Sequence, residues 1–167
     1  MLDRNELLNQ FNAKLTLGHD GMNDVIWEIG NEPYHFSNIN NFLNDSLIEL
    51  INACLDLANG RDGLMYWFHP GEISRITLKI SEESAHILKG RVTTIKSKEQ
   101  TTNNLEFTIP IQKFLEGIYS AIKQYAPTAN ERDSAIASSF PICAFEKFEV
   151  AILGWLVSLP VSNRCIH

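Results

Sequence analysis

The stretch from Gly60 to Ile80, GRDGLMYWFHPGEISRITLKI, constrains the fold more than any other part of this chain. It contains an unbroken run of large apolar residues at Met65–Phe68, and Pro70-Gly71 then supplies a turn. From Arg75 to Ile80, polar and apolar residues alternate, which is the period of a strand with one buried face. The stretch therefore predicts a β-hairpin in a sheet that packs one side against a core.

Two further strands and a helix are predicted before this hairpin. Apolar and polar residues alternate over Phe11–Leu17 and again over Asp24–Gly30, with a turn bounded by glycines, residues 18–21, between them. In Asn41–Asn59 the apolar residues recur at helical spacing, and Gly60 follows where a left-handed stop residue belongs. We therefore expect an N-terminal hairpin and then a helix packed on a sheet.

The second half of the chain predicts more strands and then two helices. The expected elements are strands at His86–Ser97 and Leu105–Ile109, a polar loop at Lys96–Asn104, and helices from Pro110 to Tyr125 and from Ile142 to Leu159. Links of hairpin length mean antiparallel pairing. The sequence thus predicts a single α+β domain over residues 1–167, in which three helices pack mainly on one face of an antiparallel sheet of about six strands.

Length and composition limit the class of protein. With 167 residues, 44% of them hydrophobic, the chain is long enough to build one core without disulfides or metals. The longest apolar stretch, Val150–Leu159, is shorter than the roughly 20 residues that span a bilayer, and the polar N-terminus differs from a secretory signal. Three widely spaced cysteines, Cys54, Cys143 and Cys165, are expected to be reduced thiols. We therefore expect a cytoplasmic protein without cofactors.

Negative charge is concentrated in the first third of the chain. The net charge is −6, and residues 1–59 carry nine acidic and two basic side chains. Such a surface repels nucleic acid and anionic lipid, and it attracts a basic partner. The alternative interpretation is a solvated face that serves solubility alone.

The segment Asn31-Glu32-Pro33 is similar to the Asn-Glu-Pro segment that carries the acid/base glutamate of retaining glycoside hydrolases with a (β/α)₈ barrel. That resemblance implies that Glu32 protonates the leaving sugar oxygen while Asn31 contacts the sugar 2-hydroxyl. The barrel needs about 250 residues with alternating strands and helices, whereas successive strands follow the first helix here. We therefore interpret Glu32-Pro33 as the start of a loop, with a small hydrolase as an alternative.

Two other groups of residues are candidates for chemistry. His69 and Glu72 flank the Pro70-Gly71 turn as a possible acid/base pair. A metal site there needs further ligands, and the candidates are His35, His86 and Glu32. Cys143 is a candidate nucleophile, but the histidine that follows it is the terminal His167, and a chain end holds a base poorly.

Basic residues of the predicted strands suggest a nucleic-acid face, but acids interleave with them. The simpler interpretation is a solvated strand edge. The residues concerned are Lys79, Lys89, Arg91, Lys96 and Lys98.

Four segments follow a recognisable layout: a helix that ends in glycine, an aromatic strand with a Pro-Gly turn and an acid, an alternating strand, and a Phe-Pro pair before the last helix. These segments are Leu50–Gly60, Phe68–Glu72, Ile76–Ile80 and Phe140-Pro141. The layout resembles that of a group of small bacterial proteins whose members often resemble immunity proteins, which neutralise a toxin made by the same cell. The resemblance implies a non-catalytic protein that binds and occludes a toxin domain.

Under this interpretation, an acidic surface binds a basic toxin domain by electrostatic steering. The expected contact residues are Glu28, Glu32, Asp45 and Glu49 in the acidic third, with Glu72 at the hairpin tip. We expect no nucleic acid or membrane as a partner, and a monomer or homodimer. A structural or oligomerisation module is a further alternative, for which a large exposed apolar patch is the mark.

Overall fold

The computed structural model describes residues 11–17, 22–29, 32–39, 43–69, 72–97, 100–126 and 140–158. Within them the chain forms seven strands and three helices. In chain order these are β1 (Phe11–Leu17), β2 (Met22–Ile29), β3 (Glu32–Ile39), α1 (Leu43–Ala58), β4 (Gly63–His69), β5 (Glu72–Ser81), β6 (Ser84–Ser97), β7 (Gln100–Pro110), α2 (Ile111–Lys123) and α3 (Ile142–Ser158).

The strands form two antiparallel sheets. The first sheet has the order β1-β2-β3, and the second has the order β4-β5-β6-β7. The predicted α+β class with antiparallel pairing and three helices is confirmed. The sequence predicts a single sheet of about six strands, whereas the structure has two sheets. The helix α1 lies between β3 and β4 in the chain, and the hydrogen-bonded ladder does not continue from one of these strands to the other.

The strand β3 corrects one prediction. Sequence reasoning placed Glu32-Pro33 at the start of a loop, whereas Glu32–Ile39 pairs antiparallel with β2, with Pro33 opposite Glu28. Proline lacks a backbone N–H and therefore belongs on edge strands, and β3 is an edge of the first sheet. The edge position explains how a proline near the start of the segment is compatible with a strand.

The hairpin of β6 and β7 is longer than predicted. The stretch Lys96–Asn104 was expected to be a loop, but β6 continues to Ser97 and β7 begins at Gln100. Threonine is a good strand former, and pairs such as Thr94 with Thr102 extend the ladder despite their polarity. The stretch 128–139, whose small and polar residues predict a loop with a short helical piece, lies outside the described residues.

The helix α2 joins the two sheets. The ring of Phe114 on α2 lies 5.0 Å from Phe11 of β1, 5.4 Å from Trp27 of β2 and 6.5 Å from Phe107 of β7, measured between centroids. Gly117 permits the close approach of helix and strand, because a Cβ there would lie 2.8 Å from the ring of Phe11. Both sheets therefore contribute rings to one aromatic core.

The helix α1 packs against β4. A Cβ on Gly63 would lie 2.9 Å from the carbonyl oxygen of Ala53, so this contact requires glycine. Gly60 has φ of 74° and follows the helix, as the stop signal in the sequence predicts.

Cys54 is buried on the inner side of α1, and burial raises the pKa of its thiol. This cysteine packs as a small apolar side chain.

The helix α3 is apolar on more than one side. Phe145, Phe148 and Ile152 are buried, while Val150 is 72% exposed and Leu153 is 52% exposed. Within the part of the chain that the structure describes, no helix combines the length and the apolar character that crossing a bilayer requires.

Candidate functional site

The outward face of the second sheet carries four exposed basic side chains. Along β5, Ile76 and Leu78 are buried, so Arg75 and Lys79 project to the other side and are exposed. The same alternation on β6 buries Leu88, Gly90 and Val92 and exposes Lys89 and Arg91. We call Arg75, Lys79, Lys89 and Arg91 the basic face.

The position of the basic face corrects a second prediction. Sequence reasoning assigned three of these bases, Lys79, Lys89 and Arg91, to a solvated strand edge. They lie instead on β5 and β6, the two central strands of the four-stranded sheet. A central position means that their neighbours on both sides are fixed by backbone pairing, so the charges are held on one surface.

Lys79 and Lys89 lie directly opposite each other across the β5–β6 ladder. Side chains in this relationship have Cβ atoms about 5 Å apart, and like charges placed there destabilise a sheet. No ion pair within the described residues involves either lysine. Arg91 differs from them, because its Nε lies 2.8 Å from Oε1 of Glu106 on β7.

A cleft of about 810 Å³ opens on this face, which we call the sheet cleft. Charged and hydroxyl groups contribute most of its polar lining: the bases Lys79, Lys89 and Arg91, the acids Glu82, Glu83 and Glu106, and the threonines Thr77 and Thr108. Glu82 and Glu83 connect β5 to β6, and we call them the acidic turn. The cleft therefore has a positive centre and a negative end.

An apolar and aromatic strip adjoins the basic face. Leu64 and Tyr66 lie on β4 opposite Thr77 and Arg75 of β5. Leu64 is 48% exposed, and Tyr66 is half-buried. The outward face thus presents apolar, aromatic and cationic side chains on one sheet.

Glu28, one of the predicted contact residues, lies on the outward face of the first sheet. Its carboxylate accepts hydrogen bonds from Nζ of Lys14 at 2.7 Å and from Nδ2 of Asn12 at 2.9 Å. These two bonds, with Lys14 the stronger influence, lower the pKa of Glu28. The charge of this residue is therefore partly neutralised within the molecule.

Glu49 has an intramolecular partner as well. Its Oε2 accepts a hydrogen bond of 2.5 Å from the backbone N–H of Tyr66, and this bond links α1 to the edge strand β4.

The other predicted contact residues are Glu72, Glu32 and Asp45. Glu72 is half-buried at the start of β5 and lies opposite His69 across the ladder. Glu32 begins β3 and Asp45 lies in the first turn of α1, but their side chains are outside the described residues.

The catalytic candidates are spread over the fold. Glu32 and His35 lie on the first sheet, while His69, Glu72 and His86 lie on the second. Among the residues whose side chains are described, no three metal-ligating groups come together.

Cys143 is exposed at the start of α3. Its proposed base, His167, lies outside the described residues, as does Asn31 of the glycosidase-like segment.

Sequence reasoning missed the sheet cleft because its lining depends on register. The alternation around Lys79 and around Lys89 was visible in the sequence, but it does not say which residues are opposite each other. The register of β5 and β6 includes an irregularity between Ile80 and Ser81, which no simple hairpin rule predicts.

Comparison with models of known families, with characterised proteins and with solved structures finds no match to this chain.

Proposed function

We propose that this chain is a non-catalytic, cytoplasmic binding protein of the immunity type, and that it holds a protein toxin on the outward face of its four-stranded sheet. The observation that carries the proposal is the opposition of Lys79 and Lys89, neither of which forms an ion pair with a described side chain. A pair of like charges that weakens the sheet is relieved when an anionic group of a partner lies between them.

The composition of the surrounding surface supports a protein as the partner. Tyrosine and arginine are the residue types that dominate binding energy at protein interfaces. Tyr66 and Arg75 lie opposite each other on β4 and β5, and the exposed Leu64 is next to them. A protein partner bound there covers apolar surface and pairs charge at the same time.

The acidic residues predicted from the sequence, four in the first third and one at the hairpin tip, are a competing docking surface for the same function. A basic toxin domain would contact Glu28, Glu32, Asp45, Glu49 and Glu72. The net charge of −6 favours attraction of such a partner over long distances. The two surfaces predict opposite charges for the toxin and are distinguished by mutation.

The test is co-expression in a bacterial host with the toxin domain encoded beside this chain. Three forms are compared for rescue of growth: the natural chain, Lys79→Glu with Lys89→Glu, and charge reversal of the five acids. Rescue that is lost only with the lysine variant supports the sheet face. Rescue that is lost only with the acid variant assigns the acidic surface.

Circular dichroism of each purified variant separates lost binding from lost folding. If the natural chain rescues no growth, or if the gene lies in a metabolic operon without a toxin reading frame, the immunity function is wrong.

A further inference from the structure

We propose that the sheet cleft recognises a mixed-charge protein segment, with one acidic side chain against Lys79 and Lys89 and one basic side chain against the acidic turn. This inference rests on the proposed function in that it assigns the chemistry of the partner at the same face. It specifies two contacts with the partner, one to an acidic side chain and one to a basic side chain.

The positive contact is fixed by the ladder. Lys79 and Lys89 both project into the cleft from neighbouring central strands, and Thr77 and Thr108 add hydroxyl groups beside them. A carboxylate has two oxygens that accept hydrogen bonds, so a single acidic side chain is able to engage both ammonium groups.

The negative contact is fixed by the turn that follows β5. Glu82 and Glu83 are exposed and line the same cleft. No ion pair within the described side chains involves either carboxylate. The acidic turn begins three residues beyond Lys79, a separation of about 10 Å in extended chain. A basic side chain of the partner fits there, at about that distance from the acid.

The balance of charge in the lining argues against a polyanion. Three acids accompany three bases around the cleft, and the chain as a whole is negative. A phosphate or a nucleic acid strand that reached the two lysines would meet repulsion from Glu82 and Glu83. A segment that carries one acidic and one basic side chain forms favourable charge contacts with the lysine pair and with the acidic turn at the same time.

The lining also argues against a small apolar ligand. Pockets for small molecules and cofactors are lined mainly by hydrophobic and aromatic side chains. The lining here is dominated by charged and hydroxyl groups, and the cleft is open along the sheet. An extended segment of a protein surface matches such a cleft better than a compact apolar molecule does.

The test is titration of ¹⁵N-labelled protein, followed by NMR, with short peptides of equal length and with inorganic phosphate. One peptide carries an aspartate and a lysine three positions apart, a second replaces the lysine by aspartate, and a third replaces the aspartate by lysine. Three variants accompany the natural chain: Lys79→Gln with Lys89→Gln, Glu82→Gln with Glu83→Gln, and Lys113→Gln with Lys147→Gln. The last pair is a matched control, because these lysines are exposed on α2 and α3 and their loss changes the net charge equally.

We expect the mixed peptide to bind most tightly, with shifts at amides of β5 and β6, and we expect the first variant to weaken it about ten-fold. The glutamine pair in the acidic turn should weaken binding of the mixed peptide and strengthen binding of phosphate. The control variant should bind both as the natural chain does.

The inference is overturned if phosphate or the all-acidic peptide binds more tightly than the mixed peptide, or if no amide shifts arise in the cleft. Peptide binding without growth rescue refutes the immunity function alone, and rescue without peptide binding refutes the mixed-charge segment alone.

Discussion

The ring of Phe107 lies over the backbone of Gly90 on the neighbouring strand. A Cβ at position 90 would lie 2.0 Å from Cζ of that ring, and both residues face the core. We expect Gly90→Ala to displace Phe107 and to lower the free energy of unfolding by about 1–3 kcal/mol, the usual cost of overpacking.

Urea denaturation followed by tryptophan fluorescence measures this change, because Trp27 contacts the same ring. Gly154 provides the matched control. It lies inside α3, where an added Cβ meets no atom within 4 Å, so Gly154→Ala should stabilise the protein by about 0.5–1 kcal/mol. Equal effects at the two positions would contradict the role of the Phe107 contact.

Removal of the Glu49 side chain should destabilise the protein even without a partner. Glu49→Ala leaves the partly buried N–H of Tyr66 without its acceptor, at a cost of about 1–3 kcal/mol. Glu49→Gln retains an acceptor oxygen and should cost less. Thermal unfolding of the two variants measures the difference. If both melt at the temperature of the natural chain, the hydrogen bond contributes nothing to stability, and Glu49 is available for a partner.

Charge reversal of one lysine in the opposed pair should stabilise the sheet. Lys89→Glu converts a repulsive cross-strand pair into an attractive one and should raise the free energy of unfolding by about 0.2–1 kcal/mol. Lys79→Glu should act similarly, whereas the double variant restores repulsion between like charges. The sign of the coupling in this double-mutant cycle tests the arrangement. Additive effects would show that the two side chains do not interact.

The contact of Tyr119 with Glu149 joins α2 to α3 and predicts a dependence on pH. The phenol donates a hydrogen bond of 2.5 Å to the carboxylate and is the main cause of the lowered pKa of Glu149. A group with a lowered pKa stabilises the fold above its ordinary value of 4.5, and this contribution is lost as the pH falls through the lowered pKa. We therefore expect Tyr119→Phe to destabilise the protein at pH 7, by at most about 1 kcal/mol because the contact is only partly buried, and to have a smaller effect at pH 3.

Urea midpoints at the two pH values measure that difference. The control is Tyr125→Phe, two residues beyond the C-terminal end of α2, which should show no such dependence. A destabilisation by Tyr119→Phe that is equal at both pH values would mean that the ring, and not the hydroxyl, is responsible. The stacking of Tyr119 on Phe145, with centroids 5.8 Å apart, provides that alternative.

The sequence predicts the elements with strong periodicity. The alternation of Ile76 and Leu78 with their polar neighbours gives the buried face of β5, and Gly60 gives the end of α1. These signals are local, because each depends on residues close together in the chain. The edge strand β3 was missed since Glu32-Pro33 is a local signal for a loop, and only its place beside β2 permits a strand.

The candidate site depends on information that the sequence does not contain locally. The opposition of Lys79 to Lys89 is a consequence of register, and the engagement of Glu49 is a consequence of where α1 meets β4. An acid on the polar side of a helix has the same sequence pattern whether it faces water or the edge of a sheet. Which of these contacts a side chain makes depends on how helices and strands that are far apart in the sequence pack together.

Because α2 packs on the aromatic side of the first sheet, that side is covered only after α2 has been synthesised. Trp27 is buried by the rings of Phe107 and Phe114, which leave the ribosome long after it. At the usual rate of translation the delay is roughly 4–17 s. The hairpins of the first sheet are therefore made early with their aromatic side uncovered, and a chaperone that binds exposed aromatic strands has this interval in which to act.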